Sequence, residues 1–141
     1  PQGEFRVPFG VADVKRQGQD LSIITYSRMV HVALNAANEL SKQGIEVEVV
    51  DLRSLRPIDW ETVYSSVRKT HRAIVLTEDW MTFGVSAEIA ARIGLETFDY
   101  LDAPVLRVTQ EEVPLPYAPN LEKLSFPDEA RVVEEVKAML K

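Results

Sequence analysis

The chain has 141 residues, 45% hydrophobic and 27% charged, with 22 acidic against 16 basic side chains and a net charge of −6. That length and apolar content suit one globular domain with a single core, burying roughly 68–70% of its unfolded surface without disulfide or metal staples. The acidic balance and the lack of a basic stripe exclude nucleic acid as an expected partner, and the absence of Cys excludes disulfide frameworks, thiol nucleophiles and Cys-based zinc sites.

The longest apolar runs, "LSIITY" at 21–26 and "AIVL" at 73–76, fall far short of the ~20 residues a membrane span requires, so no membrane partner is expected. No basic stretch followed by an apolar segment opens the sequence, so these residues carry no secretory signal. Residues 1–10, "PQGEFRVPFG", read as a linker from a preceding domain, and 11–141 as the domain itself.

In chain order, "VADVKRQGQDLSIITYS" holds two β-type stretches separated by "QGQD", whose Gly18 and Asp20 supply turn chemistry, and it predicts a hairpin. The second arm, 21–26, does not alternate, as expected of a central strand covered on both faces. Met29, Ala33, Ala36, Ala37 and Leu40 then recur at steps of three and four, the apolar stripe of a helix, with Ser27 as its N-cap and Gly44 past its end. Val47, Val49 and Val50 predict a strand over 46–52. Asp59 caps a helix running to about Arg68, and 72–77 follows as a third apolar strand. Gly84 precedes a helix marked by Val85, Ile89 and Ile93, and Val105–Val108 is a short further parallel strand. Pro114, Pro116 and Pro119 predict an extended surface loop over 110–126. Pro127 sits at the first position of a last amphipathic helix carrying Val132, Val133, Val136 and Leu140.

Strands alternating with helices of this length imply a three-layer α/β/α fold. Its sheet is expected to be five-stranded and mostly parallel, with 11–16 as one antiparallel edge strand.

Ligands of open α/β sheets bind beyond the carboxyl ends of the strands. No phosphate fingerprint lies there: neither G-x-G-x-x-G nor G-x-x-x-x-G-K-[ST] occurs. The adjacent carboxylates Glu78 and Asp79 are either a general acid–base pair or, the preferred reading, a solvated or interfacial pair. His31 and His71 lack partners at metal-like spacing, and neither Ser27 nor Ser86 stands in a nucleophile elbow. No catalytic, cofactor-binding or metal-binding residue is therefore assigned. Arg53 and Arg56 in "DLRSLRP" are candidates for a structural salt bridge or for an anion site, Pro57 fixing the direction of Arg56.

The segments "DLSIITYS", "EVEVVDLRSLRPID", "VRKTHRAIVLTED", "FGVSAEIAARI", "YLDAPVLRVT" and "VPLPYAPNLEKLSFP" together resemble the transketolase-like C-terminal domain of 2-oxoacid dehydrogenase beta subunits. "LDAP" at 101–104 and "VPLPYAPNLE" at 113–122 are similar to its pyruvate dehydrogenase branch in particular. The resemblance implies an assembly and docking domain within a complex of two alpha and two beta subunits. That complex decarboxylates pyruvate with thiamine diphosphate and Mg²⁺ and acetylates a lipoyl group. The cofactor is implied to sit between an alpha subunit and the beta subunit's N-terminal domain, so this domain alone is expected to bind none and to be inactive. Implied partners are the alpha subunit, a second beta subunit and the peripheral-subunit-binding domain of dihydrolipoyl acetyltransferase. The last is implied to dock on Asp102 and on the terminal carboxylate of Lys141. Phe83, Leu115 and Tyr117 are expected at subunit interfaces. The implied compartment is the cytoplasm in a bacterium, and the mitochondrial matrix or plastid stroma in a eukaryote. The alternatives are the C-terminal domain of a transketolase or deoxyxylulose-phosphate synthase, a branched-chain oxoacid dehydrogenase beta subunit, and a freestanding flavodoxin-like module.

Overall fold

A computed structural model describes Gly3 and residues 6–141, so much of the expected linker lies outside the described residues. Five strands, β1 (Asp13–Arg16), β2 (Leu21–Thr25), β3 (Val47–Asp51), β4 (Ala73–Trp80) and β5 (Leu106–Gln110), form one sheet in the order β1-β3-β2-β4-β5. All neighbours are parallel except β1 and β3, so the antiparallel edge strand stands where it was expected. Helices α1 (Met29–Ser41) and α5 (Glu129–Met139) cover one face, where Leu21, Ile23, Ala33, Ala37, Ile74 and Val136 pack. Helices α2 (Trp60–Thr70) and α3 (Val85–Glu96) cover the other, over Ile24, Val50, Val63, Val75 and Ile89. β2 (LSIIT) is buried on both faces and shows no alternation of exposed and buried positions, its Ser22 and Thr25 being as buried as its apolar residues. Among the described residues no helix is long and apolar enough to cross a membrane.

The predicted hairpin is not formed. β1 pairs with β3, which lies between the two arms. The "QGQD" segment crosses the amino end of β3: the Gln19 and Asp20 amides both donate to Glu46 O, at 2.8 and 3.0 Å. A Cβ at Gly18 would collide with the Val47–Glu48 backbone, so only glycine passes there. The crossing is fixed by Glu48, a strand carboxylate only 1% exposed. It accepts from the Gly18 amide (3.3 Å), from Ser66 Oγ (2.6 Å) and from Lys69 Nζ. Ser22 extends the network, its hydroxyl bonded to those of Ser66 and Thr70, both at 2.7 Å.

Other local expectations are corrected by cap geometry. Ser27 does not cap α1: it lies in the left-handed region at φ 55°, Arg28 holds the cap position, and no side chain bonds there. Gly44 does take a positive φ, 78°, and its amide closes the turn onto Ser41 O. The 110–126 loop contains a short helix, α4 (Pro119–Ser125), because Pro119 stands at a first-turn position, where proline suits a helix. Pro127 precedes the cap of α5, and the capping group is Asp128, which accepts from the Arg131 amide at 2.8 Å.

Asp59 caps α2 as its position suggested, accepting from the Thr62 amide and hydroxyl, and it also accepts from the Ala12 amide at 3.0 Å. Burial alone would raise its pKa, but the hydrogen bonds from Thr62 and Ala12 outweigh it and hold the carboxyl below its ordinary 3.8.

Two outcomes follow from these anchors. Glu48→Leu leaves the buried Gly18 amide without its acceptor and removes the carboxylate that joins it to Ser66 and Lys69, and urea unfolding should show a loss of about 1–3 kcal/mol. Glu48→Gln, which keeps an acceptor, should lose less, and a Leu variant as stable as the parent would remove the anchoring role. Asp59→Ala should lose about 0.5–2 kcal/mol. Because the folded pKa is depressed, this contribution is complete above the unfolded value and fades as pH falls through the folded one. Parent and variant stabilities should therefore converge in acid below about pH 4. A gap that widens there would reverse the sign of the linkage.

Candidate functional site

The carboxyl ends of β2, β3 and β4 are followed by three non-glycine residues in the left-handed region, Ser27 (φ 55°), Arg53 (φ 57°) and Phe83 (φ 60°). Such conformations cost free energy and persist only where surrounding contacts impose them. After β3 the contacts are ionic. The Arg53 amide donates to Asp51 Oδ1 at 3.0 Å, and its guanidinium binds Asp13 Oδ2 at 2.6 Å. Lys15, first among the causes, and Arg53 hold the Asp13 carboxyl below its usual range. Arg53 thus sits in an ion pair, whereas Arg56 is exposed, with no ion pair to a described residue.

After β4 the adjacent carboxylates part company. Asp79 turns inward, accepting from Thr77 Oγ1 and from the Ser86 amide at 3.2 Å, so it serves the α3 amino terminus from seven residues away. Gly84 makes room, since a Cβ there would strike the Asp79 carboxylate and Trp80 O. Burial first, then the charges of Asp79 and Glu78, push the Tyr26 hydroxyl up to about 12, so Tyr26 keeps its proton through the physiological range. With its amide oriented by its neighbours, Gln110 donates to Glu78 O and accepts from Trp80 Nε1, both at 2.9 Å.

These contacts aim the β4–α3 loop outward. Phe83 is fully exposed and Trp80 about half exposed. The Thr82 amide donates to Glu112 Oε1 at 2.6 Å, and Arg107 Nη1 donates to Met81 O at 2.7 Å. The loop bearing Phe83 is thereby tied to the segment bearing Leu115 and Tyr117, which are also exposed. The three expected interface residues belong to linked segments at the carboxyl end of the sheet.

Asp102 lies at the opposite end, ahead of β5. Its amide donates to His71 O at 2.9 Å, and its carboxylate, 53% exposed, meets Arg72 Nη2 at 3.2 Å. His71 Nδ1 bonds Tyr100 O at 2.7 Å, so this exposed histidine pins the turn. The last turn of α5 flanks the same region: Ala138 and Met139 share a groove with Ala103 and Pro104. Lys141, exposed, is two residues farther on. The sequence reading missed the Arg72–Asp102 pair and a ladder on α2 in which Arg92 covers Trp60 (4.5 Å), Trp60 stacks on Tyr64 (5.7 Å), and Arg68 lies over both Tyr64 and Tyr100. The four-residue steps of Trp60, Tyr64 and Arg68 along one helix face carried that signal.

The cofactor implied by the resemblance requires an anion cradle and a set of oxygen ligands for its metal. Among the described residues no group of three or more His, Cys, Asp or Glu side chains could hold a metal ion. The strand-end carboxylates of Asp51, Asp79 and Glu112 are already bound to neighbouring donors. The residues present do not fit thiamine diphosphate and Mg²⁺.

Residues 10–132 match the family model described as "Transketolase, C-terminal domain". The chain is 47% identical over 131 residues to the pyruvate dehydrogenase E1 component subunit beta of Rickettsia felis, covering 93% of this chain and 40% of that protein. It is equally identical over 133 residues to the mitochondrial subunit beta-1 of Arabidopsis thaliana, covering 94% and 37%. The chain therefore spans about two fifths of the length of these curated relatives. A solved structure titled "Split gene transketolase, inactive beta4 tetramer" superposes with a TM-score of 0.78 at 27% identity, covering 97% of this chain and 43% of that one. A 2-oxoglutarate:ferredoxin oxidoreductase from Magnetococcus marinus shares the fold at 13% identity and a TM-score of 0.60. With the matched stretch spanning nearly all of the described sheet and helices, the chain belongs to the transketolase C-terminal domain family.

Proposed function

We propose that this chain is the C-terminal assembly and docking domain, residues 11–141, of a pyruvate dehydrogenase beta subunit. The reading is carried by 47% identity to such subunits over 93% of the chain. In the parent complex, thiamine diphosphate supplies the carbanion chemistry that decarboxylates pyruvate, and it is held by residues outside this chain. What these residues contribute is two surfaces. Phe83, Leu115 and Tyr117 at the carboxyl end meet the alpha subunit or the second beta subunit, consistent with a fully exposed Phe83 held in an imposed conformation. Asp102, beyond the other end of the sheet, receives basic residues of the acyltransferase's peripheral-subunit-binding domain, with Lys141, two residues past α5, as the second candidate contact. Charge pairs of this kind set encounter rate and register.

Hydrogen exchange should show residues 113–124 protected in the assembled tetramer and unprotected in this chain alone, and equal exchange in both would contradict the interface. Asp102→Asn in the complete beta subunit should weaken acyltransferase binding by about 2–5 kcal/mol, the range for truncating a pair desolvated on binding. Its effect on folding should stay within about 1 kcal/mol, since the Arg72 pair is half exposed. Decarboxylation measured with an artificial electron acceptor should be unchanged. If binding holds and that activity falls instead, Asp102 serves the fold or the active site.

A further inference from the structure

β5 is the edge strand opposite β1, with β4 on its inner side alone. Its second half is covered: Thr109 O accepts from Arg131 Nη1 of α5 at 3.1 Å, and the Glu111 amide is bonded to Ser125 O at 2.8 Å. The first half and the residues leading into it, 103–107, have no such cover among the described residues and are only partly buried. Side chains there alternate, Val105 packing toward the α2–α3 face and Leu106 toward the α1–α5 face.

Each face has a groove that ends on this edge. On the α3 side a groove of about 590 Å³ is floored by Ala90, Gly94, Leu101, Pro104 and Val105, with Phe98 and Asp102 at its sides. On the α5 side one of about 350 Å³ is lined by Leu106, Ala138, Met139 and Glu135. Ala103, Pro104 and Val105 belong to both. An added strand sends successive side chains to opposite faces, so it needs two such grooves flanking an open edge. Each groove is mainly apolar and includes one carboxylate and no cation among its lining residues. Pro104 donates no amide, which confines new backbone hydrogen bonds to the residues after it.

We infer that the leading half of β5 is a strand-addition site for an extended, apolar polypeptide segment flanked by Lys or Arg, its alternate side chains entering the grooves on the two faces. Charge complementarity to Glu135, and to the exposed side of the Asp102 carboxylate that Arg72 leaves open, selects the basic flanks, and the open edge selects the extended backbone. The site shares Asp102 with the acyltransferase reading but does not depend on it. Loss of Asp102 would weaken either, whereas dependence on the partner's own amide groups belongs to strand addition alone.

The probe is a hexapeptide library, Lys at both ends and four positions drawn from Val, Ile, Leu, Phe and Thr, titrated onto this chain with amide shifts followed by NMR. Binding should shift residues 103–107, and N-methylation at alternate amides, which removes about two hydrogen bonds, should weaken it about tenfold. Gly94→Leu is the protein-side test. Nothing lies within 4 Å of a Cβ there, so the substitution starts in open space at the groove's lining, and replacing a helical glycine improves the helix. That variant should fold at least as well and lose peptide binding at least tenfold. Glu-flanked peptides should bind more weakly than Lys-flanked ones. The proposal is overturned if no member binds, if the shifts map elsewhere, if N-methylation or Gly94→Leu leaves affinity intact, or if the Glu-flanked set binds equally well.

Discussion

A carboxylate buried under a sheet has to be answered by donors, because leaving it dry and unpaired costs far more than a marginally stable fold can spare. Glu48 is answered by three pieces of chain at once: the backbone at Gly18, and Ser66 and Lys69 on α2. Ser66 passes the network to Ser22 on β2, so two neighbouring strands, the helix over them and the crossing segment meet at one group. Those donors converge only if the chain passes across the amino end of β3 before entering β2. The strand order follows from that passage, and with it the edge positions of β1 and β5.

At the other end of the strands the logic is ionic and capping. Asp13, Asp51 and Arg53 impose the turn after β3. Asp79, Thr77 and Gly84 impose the one after β4. Each spends polar groups on holding backbone, which engages the carboxylates of Asp51 and Asp79 and accounts for the outward presentation of Phe83. A loop that had to bind its own ligand would have kept those carboxylates available.

What could be read from the residues depended on how local the determinant was. Strands over 46–52 and 72–77 are visible because β-branched residues cluster, and α1 because its alanines and leucine repeat at helical steps. Asp59 could be read as a cap because its partner Thr62 is three residues away. The hairpin misreading arose because "QGQD" has turn chemistry, while the strand that separates its arms lies some thirty residues on. Ser27 looks like a cap, yet its left-handed backbone belongs to the turn at the end of β2. Asp79 serves a helix whose nearer N-cap residue is Gly84, which has no side chain to offer. The short helix over Pro119–Ser125 was hidden by prolines, which end helices when interior and begin them at the first turn. Among the candidate residues, Phe83, Leu115 and Tyr117 were named as apolar side chains of segments expected at subunit interfaces, but only coordinates link their loops, through Thr82 and Glu112. Asp102 was singled out by resemblance, and its partner Arg72, thirty residues earlier, had no local mark.

Because the four parallel strands share one direction, the exposed aromatic loops and the Asp102 turn are separated by the length of the sheet. A substitution at one end therefore reaches the other only through the strands themselves or through a side chain long enough to run along them. Arg107 is one such side chain, standing in the leading half of β5 while its guanidinium holds Met81 O in the loop that carries Phe83. The fold places two exposed surfaces a sheet length apart, and the loops at either end can change while the strands between them stay as they are.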